Sequence, residues 1–136
     1  MIARSHFILY VDNQTVSSDF YRAVLAVEPV LEVPGMTEFC LGKDVILGLM
    51  PVAGIRRLLG DALPDPDAAA GVPRAELYLL VDDAWDCLHR ALDAGARLLS
   101  PMKRRDWGHV VGYVLDPDGH VLAFAVENVE SGPGSR

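Results

Sequence analysis

Residues Trp107–Glu127, WGHVVGYVLDPDGHVLAFAVE, predict a β-hairpin around which the rest of the chain is organised. Its strands are Val110–Leu115 and His120–Val126, joined by the tetrapeptide Asp-Pro-Asp-Gly. The proline presets φ for a turn, and the final glycine supplies the positive φ that closes it. We interpret this hairpin as the last two strands of a unit that occurs twice in the chain.

Composition indicates one globular domain, because 136 residues with 51% hydrophobic and 23% charged side chains can bury a core. No apolar run approaches the ~20 residues of a membrane span. The opening residues run into a strand pattern without a signal-peptide cleavage site, so we expect a cytoplasmic protein with no membrane partner. The net charge of −7 argues against nucleic acid and favours cationic ligands through long-range attraction.

Two residue types need separate mention. Cys40 and Cys87 each lie in an apolar pattern, so we expect buried thiols and neither a disulfide nor a zinc site. The single basic cluster, Lys103–Arg105, predicts a solvated loop, with the rim of a pocket as the alternative.

The same order of elements, βαβββ, is predicted twice, with an offset of 70 residues between the first strands. Module one, about 2–51, should contain a strand, a helix and three strands over 6–11, 14–26, 30–33, 37–41 and 44–50. Module two, about 74–128, should contain them over 76–83, 84–94, 97–100, 110–115 and 120–126. The linker, about 52–73, should include one short helix over 55–63. The strand that begins at residue 97 should end before Pro101, and residues 129–136 should form a frayed tail.

Strand alternation assigns the side chains to faces. One face should carry His6, Ile8, Tyr10, Ile46, Gly48 and Met50 in module one, and Glu76, Tyr78, Leu80, Ala123 and Ala125 in module two. The opposite faces, rich in Leu and Phe, should pack on the helices. The first face is then left to form a concave cup.

At this point the chain resembles the vicinal oxygen chelate superfamily, which includes glyoxalase I, extradiol dioxygenases and the fosfomycin- and bleomycin-resistance proteins. The resemblance covers roughly 2–128 and rests on the strand-Val-Asp-Asn-helix start, on FYRAVL at 20–25 and on DPDGH at 116–120. It implies an α+β fold of two βαβββ modules whose curved sheets form a cup. It also implies a homodimer, which covers exposed sheet edges.

The resemblance implies metal ligands at four positions, which here are His6, Gly48, Glu76 and Ala123. Gly48 and Ala123 have no ligating side chain, and the family's enzymes usually carry Glu at the second of these. A catalytic divalent metal normally takes at least three protein ligands, so we expect no cofactor; a metal, if any, would be held by His6 and Glu76. Alternatively, His6 is a hydrogen-bonded strand-start residue with Glu76 as its partner, or the two form a general acid/base pair.

Trp107-Gly108 precedes the penultimate strand, where bleomycin-resistance proteins, which bind their drug without a catalytic metal, often have Trp-Gly. Trp107 is either a flat wall for a planar ligand or a plug at the rim of the cup. His109 and His120 are expected at the surface or in turns. The predicted ligand-binding residues are His6, Tyr10, Ile46, Met50, Glu76, Tyr78, Trp107, Tyr113 and Ala123, although an aromatic or Met lining is also typical of core.

The sequence therefore predicts a metal-free protein of bleomycin-resistance type that binds or sequesters a small drug-like or cationic aromatic molecule. The alternative is a metal-dependent lyase or dioxygenase of the glyoxalase type that uses His6 and Glu76. A third hypothesis is a structural or regulatory subunit whose cup is filled by its own side chains.

Overall fold

The computed structural model describes residues 1–128, and the predicted tail at 129–136 lies outside them. The chain divides into two compact units, Met1–Ala70 and the part that starts at Gly71. Each unit contains one four-stranded mixed sheet, which confirms the predicted α+β fold of two βαβββ modules. No helix within residues 1–128 has the length and apolar character needed to cross a membrane.

Module one has its strands in the order β1-β4-β3-β2, with β1 parallel to β4 and the other neighbours antiparallel. Its elements are β1 (Ser5–Val11), α1 (Gln14–Leu25), β2 (Leu31–Val33), β3 (Met36–Gly42) and β4 (Val45–Pro51). Helix α1 begins after Asn13, whose side chain accepts a hydrogen bond from the Val16 N–H at 3.0 Å. The helix buries Phe20 and Tyr21 against β3 and β4.

The connection between the modules is more regular than the sequence predicts. Helix α2 (Val52–Leu59) begins directly after β4, three residues before the predicted start, and two short 3₁₀ segments follow it. Arg56 of this helix forms ion pairs with Asp65 and Asp67, which ties the proline-rich part of the segment back to the helix.

Module two repeats this arrangement in the order β5-β8-β7-β6, with β5 parallel to β8. Its elements are β5 (Glu76–Leu80), α3 (Ala84–Asp93), β6 (Arg97–Arg104), β7 (His109–Leu115) and β8 (Val121–Glu127). The predicted turn closes the hairpin, with Gly119 at φ 86°. At Gly119 a Cβ would lie 2.9 Å from the backbone of Gly71, so both the positive φ and the close approach require glycine.

Strand β6 is longer than predicted, because it continues through Pro101 to Arg104. It is an edge strand, and its register against β7 shifts between Ser100 and Lys103. A proline lacks the N–H that a central strand needs, but an edge strand with a bulge tolerates it.

The predicted faces agree with the strand register. Tyr78 is aligned with Ala123, which is aligned with Tyr113, so all three side chains lie on one face of the second sheet. Two predictions about burial are wrong. Cys40 is exposed, because it alternates with the buried Phe39 and lies on the face away from α1. Phe7 lies on the face that was predicted to pack on the helices, but it is 62% exposed, because β1 is an edge strand and α1 packs on β3 and β4.

Candidate functional site

In module one, the histidine at the start of the face has a carboxylate beside it. His6 Nδ1 lies 3.5 Å from Glu38 Oε2, and Glu38 is aligned with Gly48 on the neighbouring strand. The predicted partner of His6 is Glu76, and Glu38 is not among the predicted site residues. The side-chain alternation of its strand could have identified Glu38, because it places Glu38 opposite to Phe39 and therefore on the same face as His6.

The other predicted residues of module one lie in register with one another. His6 is aligned with Ile46, and Tyr10 with Met50, on adjacent strands β1 and β4. The space beside Gly48 is already occupied: a Cβ there would lie 3.1 Å from Ile8 Cγ1 and 3.2 Å from Met36 Sδ. A larger side chain at Gly48 would therefore displace these two residues.

In module two, the face of the sheet has a floor of small apolar side chains. Val111, Ala123 and Ala125 are fully buried, and the partly buried Tyr78 and Tyr113 pack against them. Ala123 occupies the position at which the family resemblance would put a ligating Glu. The two tyrosines pack against this position, so an apolar contact is found where the resemblance would put a charged side chain.

A chain of hydrogen bonds runs from this floor to the loop before β7. Trp107 Nε1 donates to Tyr78 Oη at 2.8 Å, and Tyr78 Oη lies 2.6 Å from His109 Nδ1. The other ring nitrogen of His109, Nε2, lies 3.7 Å from Glu127 Oε2. A carboxylate near Nε2 favours a proton on that nitrogen, so Nδ1 accepts from the Tyr78 hydroxyl. The indole of Trp107 is thus held at one edge while 56% of the residue stays exposed.

A tight turn holds Trp107 in place. The Gly108 N–H donates to Arg105 O at 3.3 Å, and the Arg105 N–H donates to His109 O at 2.8 Å. Gly108 has φ 92°, which glycine adopts without strain. Trp107 and Arg105 are therefore both fixed by the connection between β6 and β7.

The Arg105 side chain lies on the same face as the tyrosines. Its guanidinium carbon is 5.1 Å from the centroid of the Tyr113 ring, within the range of a cation–π contact. Arg105 belongs to the basic cluster for which a solvated loop is predicted, with a pocket rim as the alternative; in the structure it is half-buried, as a rim position would require. We call the surface formed by Tyr78, Arg105, Trp107, His109 and Tyr113 the aromatic surface.

The electrostatics of Tyr113 reflect its surroundings. Burial raises the pKa of the Tyr113 hydroxyl above its ordinary value, the Glu76 carboxylate raises it further, and Arg105 opposes the shift. The predicted site residue Glu76 is exposed, and its contribution to this surface is the negative charge that raises the pKa of Tyr113.

The prediction that His109 and His120 lie at the surface or in turns holds only in part. His109 begins β7, and its side chain is only 19% exposed. His120 is 6% exposed, and its backbone N–H donates to Asp116 Oδ1 at 2.9 Å, which fixes the end of the turn.

The residues present do not fit the metal centre that the family resemblance implies. Gly48 and Ala123 supply no donor side chain; the space beside Gly48 is filled by Ile8 and Met36, and that beside Ala123 by Tyr78 and Tyr113. In the part of the chain that the structure describes, no three His, Cys, Asp or Glu side chains are grouped so that they could hold a metal ion.

The fold and its two repeated faces define a class of paired βαβββ proteins. Comparison with known sequences identifies the family within it. A sequence profile of the Glyoxalase/Bleomycin resistance protein/Dioxygenase superfamily matches residues 4–124, so the chain belongs to this superfamily. A protein of Mycobacterium bovis described as uncharacterized is 30% identical over 120 residues, which are 82% of this chain and 75% of that protein. An uncharacterized protein of Mycobacterium tuberculosis is also 30% identical over 120 residues, 82% of this chain and 67% of its own length.

Solved structures share the fold. A glyoxalase-related enzyme from Fulvimarina pelagi is 24% identical with a TM-score of 0.76, covering 95% of this chain and 91% of its own. A glyoxalase/bleomycin resistance protein/dioxygenase from Nocardioides is 21% identical with a TM-score of 0.72, covering 96% and 86%. At these identities the similarity establishes the fold and leaves the activity to be argued from the site.

Proposed function

We propose that this protein binds a small planar molecule against the aromatic surface of module two and does so without a metal. The observation that carries the proposal is the placement of Trp107. Its indole is largely exposed, yet it is held at a defined position by the hydrogen bond to Tyr78. A rigid exposed aromatic ring offers a large contact area at little cost in conformational entropy.

The surroundings of Trp107 support the same function. Tyr78 and Tyr113 add aromatic area on a floor of small apolar residues, and His109 and Arg105 add polar groups at the edge. Binding sites for small molecules combine apolar walls with a few fixed polar groups in this way. Ala123, which stands where a ligating Glu would be needed, belongs to the apolar floor.

Tryptophan fluorescence tests the proposal, and the chain offers a matched control. It has two tryptophans, Trp85 on α3 and Trp107. In Trp85→Phe, emission comes from Trp107 alone, and we expect saturable quenching by at least one of bleomycin, proflavine and 2-naphthamide. In Trp107→Phe, which keeps the exposed Trp85, we expect no saturable change.

Two results would contradict the proposal. Emission of Trp107 that stays flat across the panel would remove the ligand site. Equal quenching in both variants would show contact with exposed indoles in general, without a site on the aromatic surface.

A homodimer and a cytoplasmic location belong to the same proposal. The dimer is suggested by the family resemblance and by the position of β1 and β5, each the outermost strand of its own sheet. Light scattering after size-exclusion chromatography should give twice the 14.8 kDa of one chain, and a monomeric mass would contradict it.

A further inference from the structure

Within residues 1–128, the guanidinium of Arg105 is hydrogen-bonded by neutral oxygen atoms only. Its Nη2 donates to Val111 O at 2.7 Å, to Ser100 Oγ at 2.9 Å and to Pro101 O at 3.2 Å. Its Nε donates to Val111 O at 3.2 Å. These bonds fix the plane of the guanidinium beside the Tyr113 ring, and none of them brings a negative charge to it.

Within residues 1–128, Arg105 has no carboxylate at ion-pair distance, and its Nη1 makes no hydrogen bond. Two arginines of the unit Met1–Ala70, in contrast, form ion pairs: Arg22 contacts Asp19, Glu28 and Glu32, and Arg56 contacts Asp65 and Asp67. Those pairs lie at the surface, where pairing contributes little. A half-buried charge is the one that most needs an anionic partner, because it has lost part of its hydration.

We infer that Nη1 of Arg105 binds the carboxylate of an aromatic ligand whose ring lies against Trp107, so that the ligand is a planar aromatic acid. The inference rests on the proposed function and adds the charge of the ligand to it. A guanidinium held in advance loses little side-chain entropy when it binds an anion.

The charges around Arg105 agree with an anion at this end of the aromatic surface. Lys103 is exposed, and its register with Val111 places it on the same face of the sheet. Of the acidic groups at this face, Glu127 lies beside His109, and Glu76 acts on Tyr113. The net charge of −7 suggested a cationic ligand, but Arg105 places a positive charge directly beside the Tyr113 ring of this surface.

A set of three probes with one ring and three charges tests the inference: 2-naphthoate, 2-naphthamide and 2-naphthylmethylammonium. Binding is followed by the ¹H–¹⁵N signal of the Trp107 indole. For the unmodified protein we expect the carboxylate to bind about tenfold more tightly than the amide, because one charge-assisted hydrogen bond is added. The ammonium should bind most weakly, and added salt should weaken only the carboxylate.

Variants of Arg105 locate the effect. In Arg105→Gln, the affinity for 2-naphthoate should fall about tenfold to that of the amide, while the amide is unaffected. The control Arg97→Gln removes the same charge from exposed β6 and should retain the preference. If Arg105→Gln does not fold, Arg105→Lys keeps the charge, and a retained but smaller preference is expected.

The outcomes separate the two proposals. Binding of all three probes with equal affinity would overturn the inference on ligand charge and leave the aromatic site intact. Loss of the carboxylate preference in Arg97→Gln as well as in Arg105→Gln would also overturn it, because the effect would then come from overall charge. No shift of the Trp107 signal with any of the probes would overturn both.

Discussion

Replacement of Tyr78 by Phe removes the hydroxyl that links Trp107 to His109, and its cost can be derived from the two bonds. The Trp107 indole N–H is exposed and can donate to water instead, so that its change of partner costs little. The His109 Nδ1 is partly buried, and the loss of its partner costs about 1 kcal/mol. We therefore expect the free energy of unfolding to fall by about 1–1.5 kcal/mol in Tyr78→Phe.

Urea unfolding followed by circular dichroism measures this change, and Tyr113→Phe is the matched control. The hydroxyl of Tyr113 makes no hydrogen bond within residues 1–128, although its ring packs in the same cluster. We expect that variant to change the free energy of unfolding by less than about 0.5 kcal/mol. The Trp107 indole signal should move in Tyr78→Phe and stay in place in Tyr113→Phe. Equal losses of stability in both variants, or an unmoved indole signal in Tyr78→Phe, would refute the reasoning.

Three further predictions concern burial in both modules. In Ala123→Glu, a carboxylate is forced into a fully buried position, so the free energy of unfolding should fall by about 3–5 kcal/mol. If the melting temperature of this variant rises with added Ni²⁺, a metal site has been restored and our account is contradicted. The exposed Cys40 should react quickly with a thiol reagent at pH 8. Burial raises the pKa of the Cys87 thiol, so this residue should stay unreacted until the protein unfolds. Equal reaction rates of the two thiols in the folded protein would contradict this prediction. Because the pKa of Tyr113 is raised, the folded state holds the hydroxyl proton more tightly than the unfolded state. The stability that this contributes below about pH 10 should be lost as the pH rises further. When the free energy of unfolding is measured against pH, the loss should be smaller in Tyr113→Phe, and identical curves would contradict a role of Tyr113 in it.

The fold could be predicted from the sequence because its local signals agree. The strand alternation that put Tyr78 and Ala123 on one face is reproduced by the register of β5 with β8. Both helices begin where they were predicted, at residues 14 and 84, because Asn13 and Asp83 directly before them cap the first turn. Predictions failed where a residue type was weighed above its position, as with Cys40, whose strand phase places it on the exposed face.

The candidate site was less predictable, because it depends on pairs far apart in the chain. Tyr78 and His109 are separated by 31 residues, and only the order of strands β5, β8 and β7 brings them together. Arg105 appeared as one member of a basic cluster, because composition cannot show that its neighbours are carbonyl oxygens. The side chains at the positions implied by the resemblance can be read directly from the sequence, since neither glycine nor alanine carries a donor group in its side chain.

The central claim is that the aromatic surface of module two holds an aromatic molecule without a metal. The most direct measurement is a crystal structure of protein purified without chelator and soaked with 2-naphthoate, recorded with an anomalous scan for metals. We predict density for the ring against Trp107 and no anomalous peak beside His6 or Glu76. A ring bound elsewhere, or an ion coordinated by either of those side chains, would contradict the claim.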